Sequence, residues 1–190
     1  MRIKVQLYDD TVQKIPVKKI IRSNRLPDSR TVVALAGVQS NQFPRAADLA
    51  RRFRAGGLQV LIGGFHVTGT LALSRGTTPE IQEMIDLGVS VVKGEVEETW
   101  SEILLDASKD RLKPLYDFMD RKPDLTDMPI PVIDRKYLKR FVTKNFGTID
   151  CSRGCPFNCS FCSIINVQGR EMRVRSPESL GRTLRQNYRD

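Results

Sequence analysis

Short apolar runs alternate with amphipathic segments in the first half of the chain, and this alternation limits the possible folds more than any other feature. Three runs have the length of a strand and contain few polar residues: Thr31–Val38, Leu58–Ile62 and Val89–Val92. Apolar runs of this kind are typical of strands that are buried on both faces of a parallel sheet. Each run is followed by a segment with apolar residues at helical spacing. The sequence therefore predicts an α/β domain, with a parallel sheet and helices on both of its faces.

The ends of several elements can also be read from the sequence. Pro44 and Pro79 stand where two helices should begin, because proline suits the first turn of a helix. A third helix is predicted over residues 96–107. The alternating apolar residues of Arg2–Tyr8 predict an additional strand at the start of the chain.

The pattern changes after the third helix, where prolines become frequent. We predict a sheet domain over residues 1–108 that is incomplete at its N-terminal end, and an irregular linker over residues 109–146. Residues 147–190 are predicted to be a second domain. In it, a strand over Phe146–Asp150 leads into a cysteine-rich loop, and a last helix opens at Ser176 and Pro177 in the manner of an N-cap and first turn.

All four cysteines lie between residues 151 and 162. Counted from Cys155, the spacing is C-x3-C-x2-C, and Phe161 directly precedes the last cysteine. Three thiolates on one short loop can converge on a single metal centre. An iron–sulfur cube usually takes four cysteine ligands, so three would leave one iron open to a substrate or cofactor.

Zinc binding and disulfide formation are the two alternatives to a cluster for these cysteines. A zinc site could recruit Cys151 as a fourth ligand, although structural zinc sites usually combine two ligand pairs across a longer spacer. Disulfides would require an oxidising compartment, and the N-terminus does not resemble a signal peptide. Both readings are less favoured than iron and sulfur. Cys151 is interpreted as a small residue at the end of a strand.

The spacing and the aromatic residue resemble the cluster loop of the radical S-adenosylmethionine (radical SAM) superfamily. This resemblance implies that Cys155, Cys159 and Cys162 bind a [4Fe-4S] cluster, that SAM occupies the open iron, and that Phe161 lies near the adenine. In that family an electron from the cluster cleaves SAM to a 5′-deoxyadenosyl radical, which abstracts a hydrogen from a small-molecule substrate. The implied electron donor is a reductase, a flavodoxin or a ferredoxin.

The order of sheet domain, linker and cysteine loop is similar to that of radical SAM enzymes with an N-terminal cobalamin (B12)-binding domain. The resemblance implies a Rossmann-like (flavodoxin-like) sheet with cobalamin at the carboxyl ends of its strands. The candidate cobalamin-lining residues are Gly63, Gly64, His66, Gly94 and Glu95. The chain lacks the Asp-x-His-x-x-Gly signature whose histidine ligates cobalt, so cobalamin is expected without a histidine ligand. The implied reaction is methyl transfer to carbon.

Residues 147–190 can supply only the first βα unit of a truncated radical SAM (β/α) barrel, because a full barrel is several times longer. We therefore expect the 190-residue chain to be a fragment that does not turn over substrate alone. A related hypothesis retains the radical SAM chemistry but treats the sheet domain as a scaffold that binds no cobalamin.

The composition bears on two further questions, whether the protein binds nucleic acid and whether it crosses a membrane. The formal net charge is +9, with 31 lysines and arginines against 22 acidic residues. Such an excess can indicate nucleic-acid binding, and a zinc-stabilised nucleic-acid module is the alternative function. The basic residues are spread along the chain without an array of aromatics to stack bases, so nucleic acid is the less favoured partner. No apolar run approaches the ~20 residues of a membrane span, and a cytoplasmic protein is expected.

Overall fold

The computed structural model describes residues 3–24, 30–74, 76–129 and 149–187, which divide into two compact units. The sheet unit contains residues 17–123 and 154–172, and the small unit contains residues 1–16, 124–153 and 173–190. The elements, in chain order, are α1 (Val17–Ser23), β1 (Val32–Leu35), α2 (Phe43–Ala55), β2 (Gln59–Gly63), α3 (Phe65–Leu73), α4 (Pro79–Asp86), β3 (Ser90–Lys93), α5 (Trp100–Ser108), β4 (Leu115–Asp117), β5 (Ser152–Arg153), α6 (Ile164–Val167), β6 (Arg173–Val174) and α7 (Pro177–Asn187).

The sheet unit is built on four parallel strands in the order β1-β2-β3-β4. Val33 pairs with Val60, and Ile62 pairs with Val91, so the apolar runs of neighbouring strands lie side by side. The predicted α/β fold with a parallel sheet is thus confirmed and is consistent with a Rossmann-like fold. The described strands follow one another without a reversal of order, so the finer flavodoxin-like arrangement stays a prediction.

The core of the sheet unit lies on both faces of the central strand β2. Val60, Leu61 and Ile62 are all buried, and successive residues of a strand point to opposite faces. On the face of Leu61, Ile103 of α5 packs into a cluster with the aromatic ring of Tyr116. Burial on both faces explains why β2 is a continuous apolar run.

Two of the predicted helices have the expected proline in their first turn. Pro79 is the first residue of α4, and Pro44 is the second residue of α2, which buries Leu49 and Phe53 on one face. The third, α5, begins at Trp100, a few residues later than predicted. None of the helices in the described ranges combines the length and the apolar character needed to cross a bilayer.

The fourth strand, β4, lies inside the segment predicted to be a linker. Pro114 directly precedes it, and its carbonyl accepts a hydrogen bond from the Val91 backbone N–H at 2.9 Å. Proline is tolerated at the start of a strand, and β4 pairs only with β3 among the described strands. Prolines in this segment therefore mark the entry to an edge strand, and the sheet continues beyond residue 108.

Tyr116 fixes β4 to the core. Its buried hydroxyl donates a hydrogen bond to Asp106 Oδ2 at 2.8 Å and accepts one from the Lys113 backbone N–H at 3.2 Å. Burial raises the pKa of Tyr116 to about 12, and the hydrogen bond to the Asp106 carboxylate acts in the same direction.

Replacing Tyr116 with phenylalanine will lower the free energy of unfolding by about 1–2 kcal/mol, because two hydrogen bonds are lost while the ring is kept. The difference between the two proteins will shrink as the pH rises from about 10 to 12. Folded Tyr116 retains its proton in this range, whereas an unfolded tyrosine, with a pKa of about 10, loses it, so wild-type stability falls. Urea titrations at several pH values measure this. A constant difference across the range would contradict the assignment.

The segment Gly63–Gly69, predicted to be a loop, enters a helix after two residues. α3 begins at Phe65, directly after β2, and contains the buried residues Val67, Thr68 and Gly69. It packs against β2, β3 and α6. Because this helix is apolar with small residues on several sides, it lacks the amphipathic pattern by which helices are recognised.

The small unit is organised around a two-stranded ribbon and α7. β5 and β6 pair antiparallel, with Arg153 opposite Arg173. Ser176 caps α7 by accepting the Ser179 backbone N–H at 3.1 Å, as predicted. The first βα unit of a truncated barrel is not confirmed. Residues 146–148 of its predicted strand lie outside the described residues, and residues 149–150 are not in a strand.

The strand predicted at the start of the chain is wrong for residues 3–8, which are described and form no strand. Ile3, Val5 and Leu7 are all exposed, at 51%, 83% and 61%. Alternation alone does not stabilise a strand, since its backbone groups need a neighbouring strand for their hydrogen bonds.

Candidate functional site

Three of the four cysteines lie on one loop of the sheet unit. Cys155, Cys159 and Cys162 are free thiols. Cys159 is exposed and the other two are half-buried. The Cys162 backbone N–H donates to the Cys159 carbonyl at 3.2 Å, which folds this part of the loop into a tight turn. Phe161 stands on the same turn with 91% of its surface exposed. Cys151 belongs to the small unit, where it directly precedes β5.

The chemistry of these donors suits an iron–sulfur cluster. Soft thiolates select iron–sulfur centres and zinc over magnesium or calcium, and none of the three sulfurs is used in a disulfide. Within the described residues, the structure does not gather three or more cysteine, histidine or acidic side chains at metal-binding distance. The loop therefore supplies the right donors in the right order, but the sulfurs do not converge in the present conformation.

The loop is seated on the sheet unit through the short helix α6, which follows the last cysteine. Val167 of α6 is buried and lies against α3, where a Cβ added to Gly69 would be 3.5 Å from Val167 Cγ2. That distance is an ordinary van der Waals contact, so the two helices touch at Gly69 and Val167. The cysteine loop is thus held by the helix that leaves the carboxyl end of β2.

Gly63, Gly64 and His66 lie together at the carboxyl end of β2, and Gly94 and Glu95 lie at the end of the neighbouring strand β3. The two groups are linked, because the Gly94 backbone N–H donates to Thr68 Oγ1 at 3.1 Å. The candidate cobalamin residues therefore lie together at the carboxyl ends of two neighbouring strands. Their role in binding cobalamin stays a prediction.

His66 uses both of its ring nitrogens within the protein. Nδ1 is 3.2 Å from Ser40 Oγ, and Nε2 is 3.1 Å from Glu80 Oε1. The ring also stacks on Phe43 with 4.3 Å between centroids. These contacts join α3 to the loop after β1 and to α4, and they explain why only 14% of the His66 side chain is exposed.

Replacing His66 with alanine will lower the free energy of unfolding by about 1–2 kcal/mol, since two hydrogen bonds and a ring contact are lost. Glu80→Gln is the matched control, because the amide oxygen can still accept from Nε2, and its effect should be much smaller. Thermal unfolding followed by circular dichroism measures both. Equal stability of His66→Ala and wild type would show that these contacts contribute nothing.

An ion pair at the same edge was not anticipated from the sequence. Lys93 Nζ lies 2.8 Å from Asp117 Oδ2, at the ends of β3 and β4. Burial alone would raise the pKa of Asp117, but hydrogen bonds from Lys93 and from the Met119 backbone N–H outweigh it and lower this pKa. The ion pair follows from the pairing of β4 with β3, and β4 was not predicted from the sequence.

These features define an α/β protein in which a three-cysteine loop is seated on a parallel sheet. No protein-family model matches the chain. It is 35% identical over 153 residues to bacteriochlorophyllide d C-8(2)-methyltransferase of Chlorobaculum tepidum, covering 77% of this chain and 31% of that protein. It is 32% identical over 128 residues to bacteriochlorophyllide d C-12(1)-methyltransferase of the same organism, covering 65% and 25%.

A third relative is hopanoid C-2 methylase of Rhodopseudomonas palustris, which is 26% identical over 134 residues and covers 70% of this chain and 23% of that protein. The homologues of this chain are therefore methyltransferases. The chain spans about a third or less of the length of these curated relatives.

Proposed function

We propose that this chain is the cofactor-binding part of a radical SAM methyltransferase that methylates a carbon atom. The observation that carries the proposal is the loop with thiols at Cys155, Cys159 and Cys162, seated on the same unit as the parallel sheet. The relatives are methyltransferases, which supports methyl transfer, and two of them act at numbered carbon positions of a bacteriochlorophyllide.

In this proposal the three thiolates hold a [4Fe-4S] cluster and leave one iron for SAM. When bound, such a cluster supplies the single electron that cleaves SAM reductively. The chain's own part is to present three sulfurs from one turn and to place Phe161, which is largely exposed, beside the site of the adenine. A flavodoxin, a ferredoxin or a reductase is proposed as the electron donor.

We also propose that cobalamin lies across the carboxyl ends of β2 and β3. When bound, cobalamin supplies the methyl group. The carboxyl ends of these two neighbouring strands lie side by side, and ligands of open parallel sheets bind outside the carboxyl ends of the strands, which supports the proposal. Since both nitrogens of His66 are engaged by Ser40 and Glu80, the chain would bind cobalamin without histidine ligation of cobalt.

The substrate is not assigned by this segment. The names of the relatives include both a bacteriochlorophyllide and a hopanoid. Because the segments they share with this chain are similar while these substrates differ, we place substrate recognition outside the shared region. The proposed role of this chain is to hold the cofactors.

Anaerobic reconstitution of the 190-residue chain with iron and sulfide tests the cluster assignment. The wild-type protein should become brown and retain about four irons per chain. Substitution of Cys155, Cys159 or Cys162 by alanine should each remove most of this iron. Cys151→Ala is the matched control and should retain it. A colourless wild-type protein that prefers zinc would favour the zinc-module alternative.

Cobalamin binding is tested separately by gel filtration of the chain with the vitamin, followed by a visible spectrum. Both the wild type and Cys155→Ala should carry cobalamin, because the sheet edge does not use the cysteines. A chain that binds iron but no cobalamin would support the scaffold hypothesis for the sheet.

A further inference from the structure

The two ends of the cysteine loop, here called its neck, are joined by two hydrogen bonds that backbone N–H groups donate. The Gly154 N–H donates to the side-chain oxygen Oε1 of Gln168 at 3.2 Å, across 14 residues of sequence. The next N–H, that of Cys155, donates to the Gly169 carbonyl at 3.1 Å. The two amides that lead into the first cysteine are therefore both held by residues that follow the last one.

The neck is too tight for any side chain at Gly154. Its φ is +86°, and a Cβ at this position would lie 2.0 Å from the carbonyl oxygen of Glu171. Two stretches of backbone thus touch directly beside Cys155. Such a contact fixes the path of the backbone that leads to Cys155, because the segment that follows the last cysteine is itself held in place.

Gln168 is fixed by the elements on either side of it. Its own N–H donates to the Ile164 carbonyl at 2.7 Å and ends helix α6. The preceding residue, Val167, is buried against α3, and the following residue, Gly169, is buried as well. The backbone that carries the Gln168 side chain is therefore held to the sheet unit on both sides.

We propose that Gln168 is a positioning residue for the iron–sulfur cluster. Its amide oxygen accepts the Gly154 N–H and so orients the backbone that leads into Cys155. Through this hydrogen bond, the position of α6 on α3 determines where the first thiolate lies. The inference rests on the proposed function and assigns Gln168 no contact with iron. Groups that orient metal ligands typically change metal affinity by about 10–100-fold when they are replaced.

Two replacements of nearly equal size separate the oxygen from the bulk of the side chain. Gln168→Met fills the same space without an oxygen acceptor, and Gln168→Glu retains one. After reconstitution, transfer of iron to a chelator should be about tenfold faster for Gln168→Met than for wild type. Gln168→Glu should stay within about twofold of wild type. The electron paramagnetic resonance spectrum of the reduced cluster should change in Gln168→Met only.

The spectrum and the rescue by glutamate distinguish positioning from a general loss of stability. If Gln168→Met gives the wild-type spectrum and the wild-type rate of iron transfer, the inference is overturned while the proposed function stands. If the wild type itself acquires no cluster, the proposed function falls and the inference falls with it.

Discussion

Among the glycines at the carboxyl ends of the parallel strands, Gly64 is the one whose replacement by alanine will destabilise the sheet unit most. Gly64 has a φ of 138°, and a Cβ there would lie 2.2 Å from the Val38 backbone nitrogen. The clash falls on the joint where the Val38 N–H donates to the Gly63 carbonyl and the His66 N–H donates to the Val38 carbonyl. The backbone atoms of this joint have little freedom to move aside.

The expected loss in free energy of unfolding for Gly64→Ala is about 3–5 kcal/mol. Of this, about 1–3 kcal/mol comes from the backbone conformation and a similar amount from overpacking. For a chain of this size the midpoint of thermal unfolding should fall by roughly 10 °C.

Gly57→Ala is the matched control for this experiment. Gly57 also has a positive φ, of 80°, but no atom lies within 4 Å of its added Cβ. The loss in free energy of unfolding for Gly57→Ala should therefore come from the left-handed backbone conformation alone, about 1–2 kcal/mol. If urea titrations give the same loss in free energy of unfolding for the two substitutions, the close approach at Gly64 is not a determinant of stability.

Val167→Asp is expected to release the cysteine loop from the sheet unit while the sheet itself stays folded. The side chain of Val167 is 8% exposed and faces Gly69 of α3. A carboxylate buried there without a partner would cost several kcal/mol, so α6 would leave its seat. The loop should then be cut by protease faster, and iron uptake on reconstitution should fall about tenfold.

Asn166→Asp provides the control, since Asn166 is exposed on the same helix and receives the same charge. It should keep the wild-type iron content and cleavage pattern. The far-ultraviolet circular dichroism of Val167→Asp should retain most of its helix and strand signal. Iron uptake by Val167→Asp equal to that of Asn166→Asp would mean that the contact between α6 and α3 does not support the loop.

Patterns within a few residues accounted for much of the fold. β1, β2 and β3 are apolar runs, and α2 and α4 each have a proline in their first turn, so each can be recognised without knowing what surrounds it. β4 has only three residues and follows a proline, and its place in the sheet depends on pairing with β3. α3 is apolar with small residues and resembles a loop in sequence. Both elements are specified by the packing around them.

The candidate site divides in the same way. The spacing of Cys155, Cys159 and Cys162 identifies the loop from sequence alone. The loop also depends on the contact with Gly69 and on the hydrogen bond from Gly154 to Gln168. These residues are distant from their partners in sequence and belong to no recognisable motif. The ion pair of Lys93 with Asp117 depends on strand register, which no local pattern encodes.

The interrupted course of the sheet unit, which contains residues 17–123 and then residues 154–172, has a consequence for biosynthesis. As the polypeptide leaves the ribosome, all four parallel strands and α3 are available before the first thiol of the loop is translated. We expect the nascent chain to present a finished platform to the emerging cysteines. Iron delivery would then follow the folding of the sheet, and a sheet that folds poorly would leave newly made protein without metal even when every ligand is intact.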